Sequence, residues 1–323
     1  MKRFKSLILS AIVGLVLVGC SSGDSSSEIE ELRFPTAGTS GTIYPLGATM
    51  SNIWNNNIEG IRVNSQASNG GVNNLNLLND GEGHISFATT GIMWEAYNGE
   101  DTFEGRQYED LRIMAGLYIN PNQFVVRDSA DINSIADIKG KRFVPGAVGS
   151  TPEVESSIIL PEYGINYPDD INETYVGFTE AIDLMRNNQV EGAIIQAGIP
   201  TAAVTEMTST ADGKLIGIEP EIRQSLMDKY PWYSEFTIPA GTYDNQDQDI
   251  DTLGIKMMLI VDASLSDDLV YELTKVFWEN LDELEASHSI AGHMDINEAM
   301  TDTAGIPIHD GAKKYYEEKG ISE

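Results

Sequence analysis

Two short stretches carry the residue types that could hold a small ligand. The first is Thr36-Ala37-Gly38-Thr39-Ser40-Gly41-Thr42, rich in hydroxyl and glycine positions and followed directly by Ile43, Tyr44 and Pro45. Arg33-Phe34 before it reads as the end of a strand. Leu46, Met50, Ile53 and Trp54 after it recur at helical spacing. Gly38 and Gly41 are free to take positive φ, and Pro45 suits the first turn of a helix. A strand, a small-residue turn and a helix start present backbone N–H groups and the positive end of a helix dipole. That arrangement suits an anion. The second stretch, Gly146 to Pro152, has the same character. Ser150 with Glu153 has capping-box spacing, whereas Pro152 fits the first helical position if Thr151 is the cap, and both alternatives remain open.

Neither stretch is a P-loop, G-x-x-x-x-G-K-[ST], or a dinucleotide turn, G-x-G-x-x-G. Enzyme signatures are also missing. The chain has no G-x-S-x-G elbow, no H-E-x-x-H and one cysteine, Cys20. No cofactor is called for. His84, His288, His293 and His309 are expected to be structural, since His288 and His293 lie five apart and off a common helical face. Asp247, Asp249 and Asp251 imitate the start of a calcium loop. That loop then needs Gly at 252 and an acid at 258, where the chain has Thr and Met.

The chain of 323 residues begins with the positive Lys2, Arg3 and Lys5, then an apolar run from Leu7 to Val18. This is a signal peptide in form, too short for a comfortable membrane span. Leu17-Val18-Gly19-Cys20 resembles a bacterial lipobox, which implies that Cys20 is lipidated and becomes the mature N-terminus. The expected location is therefore extracytoplasmic, on a lipid anchor, with Ser21 to Glu30 as a polar tether. The net charge of −30 becomes more negative once the three basic leader residues are gone. Such an acidic chain argues against nucleic acid as a partner and fits a saline habitat.

Positioning the two turns requires alternating strands and helices. Strands are expected at Gly60–Asn64, His84–Ala88, Leu111–Tyr118, Gln123–Val126, Arg142–Val144, Tyr175–Gly177, Gly192–Gln196 and Leu253–Val261. Asn120-Pro121 is expected to break the third from the fourth. Ser134 is expected to cap a short helix, as is Thr179, and Thr36 is given a capping role. Val270, Leu273, Val276, Phe277, Leu281 and Leu284 mark a helical face near the C-terminus. The βαβ rhythm implies α/β architecture with parallel strands. Its length suits two lobes: residues 31–119 and 257–323 in the first, 120–242 in the second, and a return strand over 243–256. A cleft between lobes is where small ligands bind, at strand ends. The amides and hydroxyls there are Asn69, Asn73, Thr89, Thr90 and Gln196, with Tyr44 and Tyr243 as candidate walls.

Segments across nearly the whole mature chain resemble the TAXI subgroup of TRAP-transporter solute receptors. They are TAGTSGTIYPLG, SNGGVNNLNLLNDGEGHISFATT, LRIMAGLYINPNQFVVR, SIADIKGKRFVPGAVGST, QAGIPTAAVTEM, TIPAGTYDNQDQDIDTLGI and GIPIHDGAKKYYEEKGI. The chain departs from that family at Ala88-Thr89-Thr90, where a Gln is common, and by inserting Ala147-Val148. The resemblance implies a class II periplasmic-binding-protein fold, two α/β lobes joined by hinge strands with a ligand cleft between them. It also implies a small carboxylate or amino-acid ligand (glutamate, glutamine or 2-oxoglutarate in type) and an integral-membrane TRAP permease as partner. Thr39, Ser40, Thr42 and Tyr44 in one lobe, and Gly149, Ser150 and Thr151 in the other, would then grip the carboxylate. Asn69, Asn73, Thr90, Gln196 and Tyr243 would read or wall the remainder. An ABC importer receptor shares the fold and is the alternative, and an enzyme on the same scaffold is a third class.

Overall fold

The computed structural model describes residues 30–322. Cys20, the leader and most of the tether lie outside the described residues. In chain order the strands are β1 (Glu30–Pro35), β2 (Ile61–Gln66), β3 (Ile85–Thr89), β4 (Leu111–Arg127), β5 (Arg142–Val144), β6 (Asn172–Glu173), β7 (Gly192–Gln196), β8 (Gly213–Ile216), β9 (Tyr233–Ile238) and β10 (Ile250–Asp262). The helices are α1 (Ile43–Asn57), α2 (Gly71–Asn79), α3 (Thr90–Asn98), α4 (Thr151–Glu162), α5 (Phe178–Arg186), α6 (Ala202–Thr210), α7 (Pro220–Lys229), α8 (Asp267–Glu279), α9 (Leu281–Ser287) and α10 (Asp310–Glu318).

Two long antiparallel strands, β4 and β10, run through both lobes. Around their middle, Ile119 pairs with Lys256, Asn120 with Ile255 and Pro121 with Gly254. On one side of that crossing β10 takes β3 as its other neighbour. On the other side β4 pairs with β7 and β8, and β10 with β9. Asn120-Pro121 does not break the strand: proline's fixed φ is compatible with extended backbone, and only its N–H is missing.

In the first lobe β1 and β2 form a separate parallel pair. His84 splices this pair to β3. Its Nδ1 accepts from the Arg33 N–H and its own N–H donates to the Arg33 carbonyl, both at 2.9 Å. One large core joins α1–α3 to the C-terminal helices, where Val270, Leu273, Phe277 and Leu284 lie inward at helical spacing. In the second lobe both sheet faces are covered. Phe124, Val126 and Ile194 enter one core while Val125, Ala193 and Ile195 enter the other, the period of two expected of a strand. Burial on both faces is why β7 reads as an unbroken apolar run.

Several local expectations are corrected. The strand expected over residues 175–177 lies at β6, three residues earlier, and pairs only two residues with β5. Thr179 sits inside α5, whose N-cap is Gly177, and bonds Ser40 instead. Thr36 is no cap: its hydroxyl is buried against the Gln66 carbonyl at 2.8 Å. Gly38 and Gly41 do not take positive φ, and the left-handed backbone falls on Gly70, Gly71, Gly146 and Gly149. Ser134 does close a capping box with Asp137, although the turn it opens is a 3₁₀ helix.

Candidate functional site

Between the lobes lies a cavity of about 110 Å³. It is formed where elements end, because strand ends and helix starts are where the backbone leaves the sheet. The first turns of α1, α2, α4 and α5 all contribute, through Thr42 and Ile43, Gly70 and Gly71, Ser150 to Pro152, and Gly177 and Phe178. Each helix start has N–H groups with no partner inside its own helix. Four such ends bring partial positive charge to one cavity without any cation. None of the described residues lining it is charged. The remaining walls mix apolar Ala37, Phe87, Ala88, Ala147, Ala197 and Met257 with the uncharged polar Ser68, Asn69, Asn120 and Gln196.

The scaffold beneath is polar and satisfied. Asn74 is fully buried, and its Nδ2 donates to the carbonyls of Thr36 and Phe87 at 2.8 and 3.0 Å. It thereby clamps the ends of β1 and β3 beside the start of α2. Ser68 Oγ donates to Asn74 Oδ1 and accepts from the Gly70 N–H, which fixes the turn ahead of α2.

The lobes touch on both sides of the cavity. Ser40 Oγ and Thr179 Oγ1 are 2.6 Å apart, and Thr42 Oγ1 donates to the Gly198 carbonyl at 3.1 Å. Opposite them the Asn73 N–H donates to the Gly149 carbonyl at 3.1 Å, and Asn69 Nδ2 to the Val148 carbonyl at 3.3 Å. These bonds join residues distant in the chain and bridge the two lobes.

Of the residues singled out from the sequence, Thr42, Asn69, Ser150, Thr151 and Gln196 line the cavity. Ser150 is the N-cap of α4 but makes no side-chain cap bond. Its buried Oγ has no partner. The others stand off it. Thr39 is exposed, and Tyr44 lies half-buried on the first turn of α1. Ser40, Asn73 and Gly149 serve the contacts between lobes, and Gly149 offers a carbonyl there in place of the expected N–H cradle. Thr90 is buried with its hydroxyl on the Lys256 carbonyl, and Thr89 Oγ1 is buried without a partner. Tyr243 is no wall: its hydroxyl donates to Gln123 Oε1 at 2.6 Å and accepts from the Thr201 N–H.

Asn120 is the residue that sequence reasoning missed. It sits at the crossing of β4 and β10, and its Nδ2 donates to Gln196 Oε1 at 3.1 Å. A signal was present, since Asn120, Asn122 and Gln123 interrupt an otherwise apolar strand. Asn122 points its Nδ2 at Glu155 Oε2 of α4, which also accepts from Tyr233 Oη. Burial pushes the Glu155 carboxyl up to about 7, against those two hydrogen bonds, and the charge of Glu95 adds to the rise. The apolar walls carried no signal, because Phe87, Phe178 and Met257 look like any core residue in sequence.

Among solved structures, similarity extends over nearly the whole described chain. A protein from Bordetella bronchiseptica RB50 is 12% identical, covers 90% of this chain and 98% of its own, and superposes with a TM-score of 0.55. A structure describing glutathione import via GshT and the cystine ABC importer TcyBC of Streptococcus mutans is 15% identical, covers 82% and 97%, and has a TM-score of 0.50. The alkanesulfonate-binding protein SsuA from Xanthomonas axonopodis pv. citri, bound to MOPS, is 14% identical, covers 91% and 81%, and has a TM-score of 0.49. At these identities the likeness is one of fold, the two-lobed α/β fold of periplasmic binding proteins. A family model matches residues 34–320, and the chain therefore belongs to the NMT1-like family.

Proposed function

We propose that this protein is a solute receptor that closes its lobes on a small carboxylate and hands it to a membrane importer. The observation that carries the reading is the uncharged cavity ringed by four helix starts. An anion can be held there by backbone N–H groups, with no arginine. Ser150 and Thr151 stand beside those helix starts, and their hydroxyls would add donors, while the Thr42 hydroxyl already donates to the Gly198 carbonyl. The small cavity fits a solute of a few heavy atoms better than a large one, since drug-sized ligands occupy roughly 300–1,000 Å³.

The importer is taken to be of the ABC class. NMT1-like membership and the fold shared with the structure on GshT and an ABC importer support that choice. A TRAP permease is the second reading, supported by the TAXI-like segments around Thr36–Leu46 and Gly146–Thr151. An ATPase encoded beside this gene would favour the first, and a fused TRAP membrane protein the second. Anchoring through Cys20 would hold the receptor on the outer face of a membrane. Among the described residues no helix is long and apolar enough to cross one.

Native mass spectrometry of the gently purified mature chain tests the reading. A departing mass equal to a small carboxylic acid is the expected result. A protein that carries nothing, and whose melting temperature responds to no acid, amino acid or amide in a panel, would refute it.

A further inference from the structure

A buried amide pair gives the same cavity a second point of recognition, one that deepens the receptor reading and rests on it. Asn120 Nδ2 and Gln196 Oε1 satisfy each other at 3.1 Å. That bond uses one donor and one acceptor, and leaves Asn120 Oδ1 and Gln196 Nε2 with no partner. The residues are only 2% and 5% exposed, and both line the cavity. Buried polar groups in folded proteins are almost always paired, because an unpaired one forfeits its hydration without return. Exchanging O and N in both amides swaps their roles and leaves the same complement, one free acceptor beside one free donor.

That complement discriminates between chemical groups. A carboxylate has acceptors only, so it satisfies Gln196 Nε2 and turns a lone pair toward Asn120 Oδ1. An ammonium has donors only and fails at Gln196. A primary carboxamide has both and matches the pair. The cavity also offers no cation to neutralise a second anionic group, and the ionisable Glu155 stands one residue behind it, beyond Asn122. We infer that the ligand is a monoanion whose other end is an uncharged carboxamide, seated on Asn120 and Gln196. The cavity thereby selects amide-bearing acids over dicarboxylates.

Isothermal titration of the mature chain, dialysed free of ligand, compares succinamate, succinate and butyrate, which differ at one end only. The three- and five-carbon homologues of each are included to allow for length. The expected result is a monoamide at least ten-fold tighter than both its diacid and its methyl-ended partner. Gln196→Met, with an unchanged circular-dichroism melting curve, should bind succinamate and butyrate alike. A general loss of fold would instead weaken both. A diacid binding as tightly as its monoamide, or butyrate matching succinamate, overturns the amide assignment and leaves the receptor reading intact. No heat from any of the nine, in a protein that releases a small acid in the native mass spectrum, also overturns the assignment alone. The same silence with no released mass removes the receptor reading as well.

Discussion

Gly71 sits where one lobe packs tightly against the other. Its φ is +45°, and a Cβ there would lie 2.6 Å from the Thr151 N and 2.9 Å from Thr151 Oγ1. The contact is with backbone of the opposing lobe, so a side chain cannot simply turn aside. Gly71→Ala should keep the lobes from closing fully. We expect at least ten-fold weaker ligand binding, and a radius of gyration by small-angle X-ray scattering that ligand no longer reduces. The positive φ adds a stability cost of about 1 kcal/mol. Wild-type affinity in this variant would show that closure does not depend on the approach. Gly149 makes the weaker test, because only the Asn73 N, at 3.9 Å, lies near its Cβ position. Sequence alone ranked Gly149 higher, since a glycine's neighbours across a cleft are invisible until the lobes are docked.

At the scale of elements, α3 and α4 each bury a carboxyl. Glu95, 4% exposed, accepts from Thr102 Oγ1. Glu155, 2% exposed, accepts from Asn122 and Tyr233. Burial pushes each up to about 7 from a usual 4.5. A carboxyl whose folded pKa is raised binds more protons folded than unfolded between those values. Its contribution to stability is therefore full below about pH 4.5 and declines as pH rises toward 7. Glu155→Gln removes that dependence. Urea titrations from pH 5 to 8 should show the wild type losing on the order of 2 kcal/mol relative to the variant. A constant difference would mean that the carboxyl is ionised throughout. Helices and strands with strong periodicity were legible, α8 and β7 among them. β8, β9 and α7 were not: β9 interleaves Tyr233, Phe236 and Ile238 with the polar Ser234, Glu235 and Thr237, and only its two end residues are buried.

The whole molecule carries a net charge of −30 across a surface that must still fold back on itself. Like charges repel in the compact state more than in the open chain. Raising ionic strength from about 0.1 M to 1 M shortens the screening length from roughly 10 to 3 Å. The melting temperature should therefore climb by several degrees between low salt and 1 M KCl. A fall over that range would show that specific surface pairs such as Arg106–Asp80 and Lys229–Glu162 outweigh the net repulsion. The same charge leaves the cavity dependent on helix ends for attraction to an anion.

From sequence alone came what is written locally: the α/β alternation and the two small-residue turns ahead of helices, whereas Asn120-Pro121, expected to break a strand, lies within β4. Thr42, Asn69, Ser150, Thr151 and Gln196 were legible because capping hydroxyls and strand-end amides are local features. Tertiary structure decided which of the others share the cavity. Asn120 faces Gln196 only because β4 pairs with β7, 76 residues on. Thr90, Tyr243 and Gly149 were drawn away by backbone partners in other elements. A hydrogen bond is chosen by distance and angle, and those are fixed when elements dock; residue type supplies only the donor or acceptor.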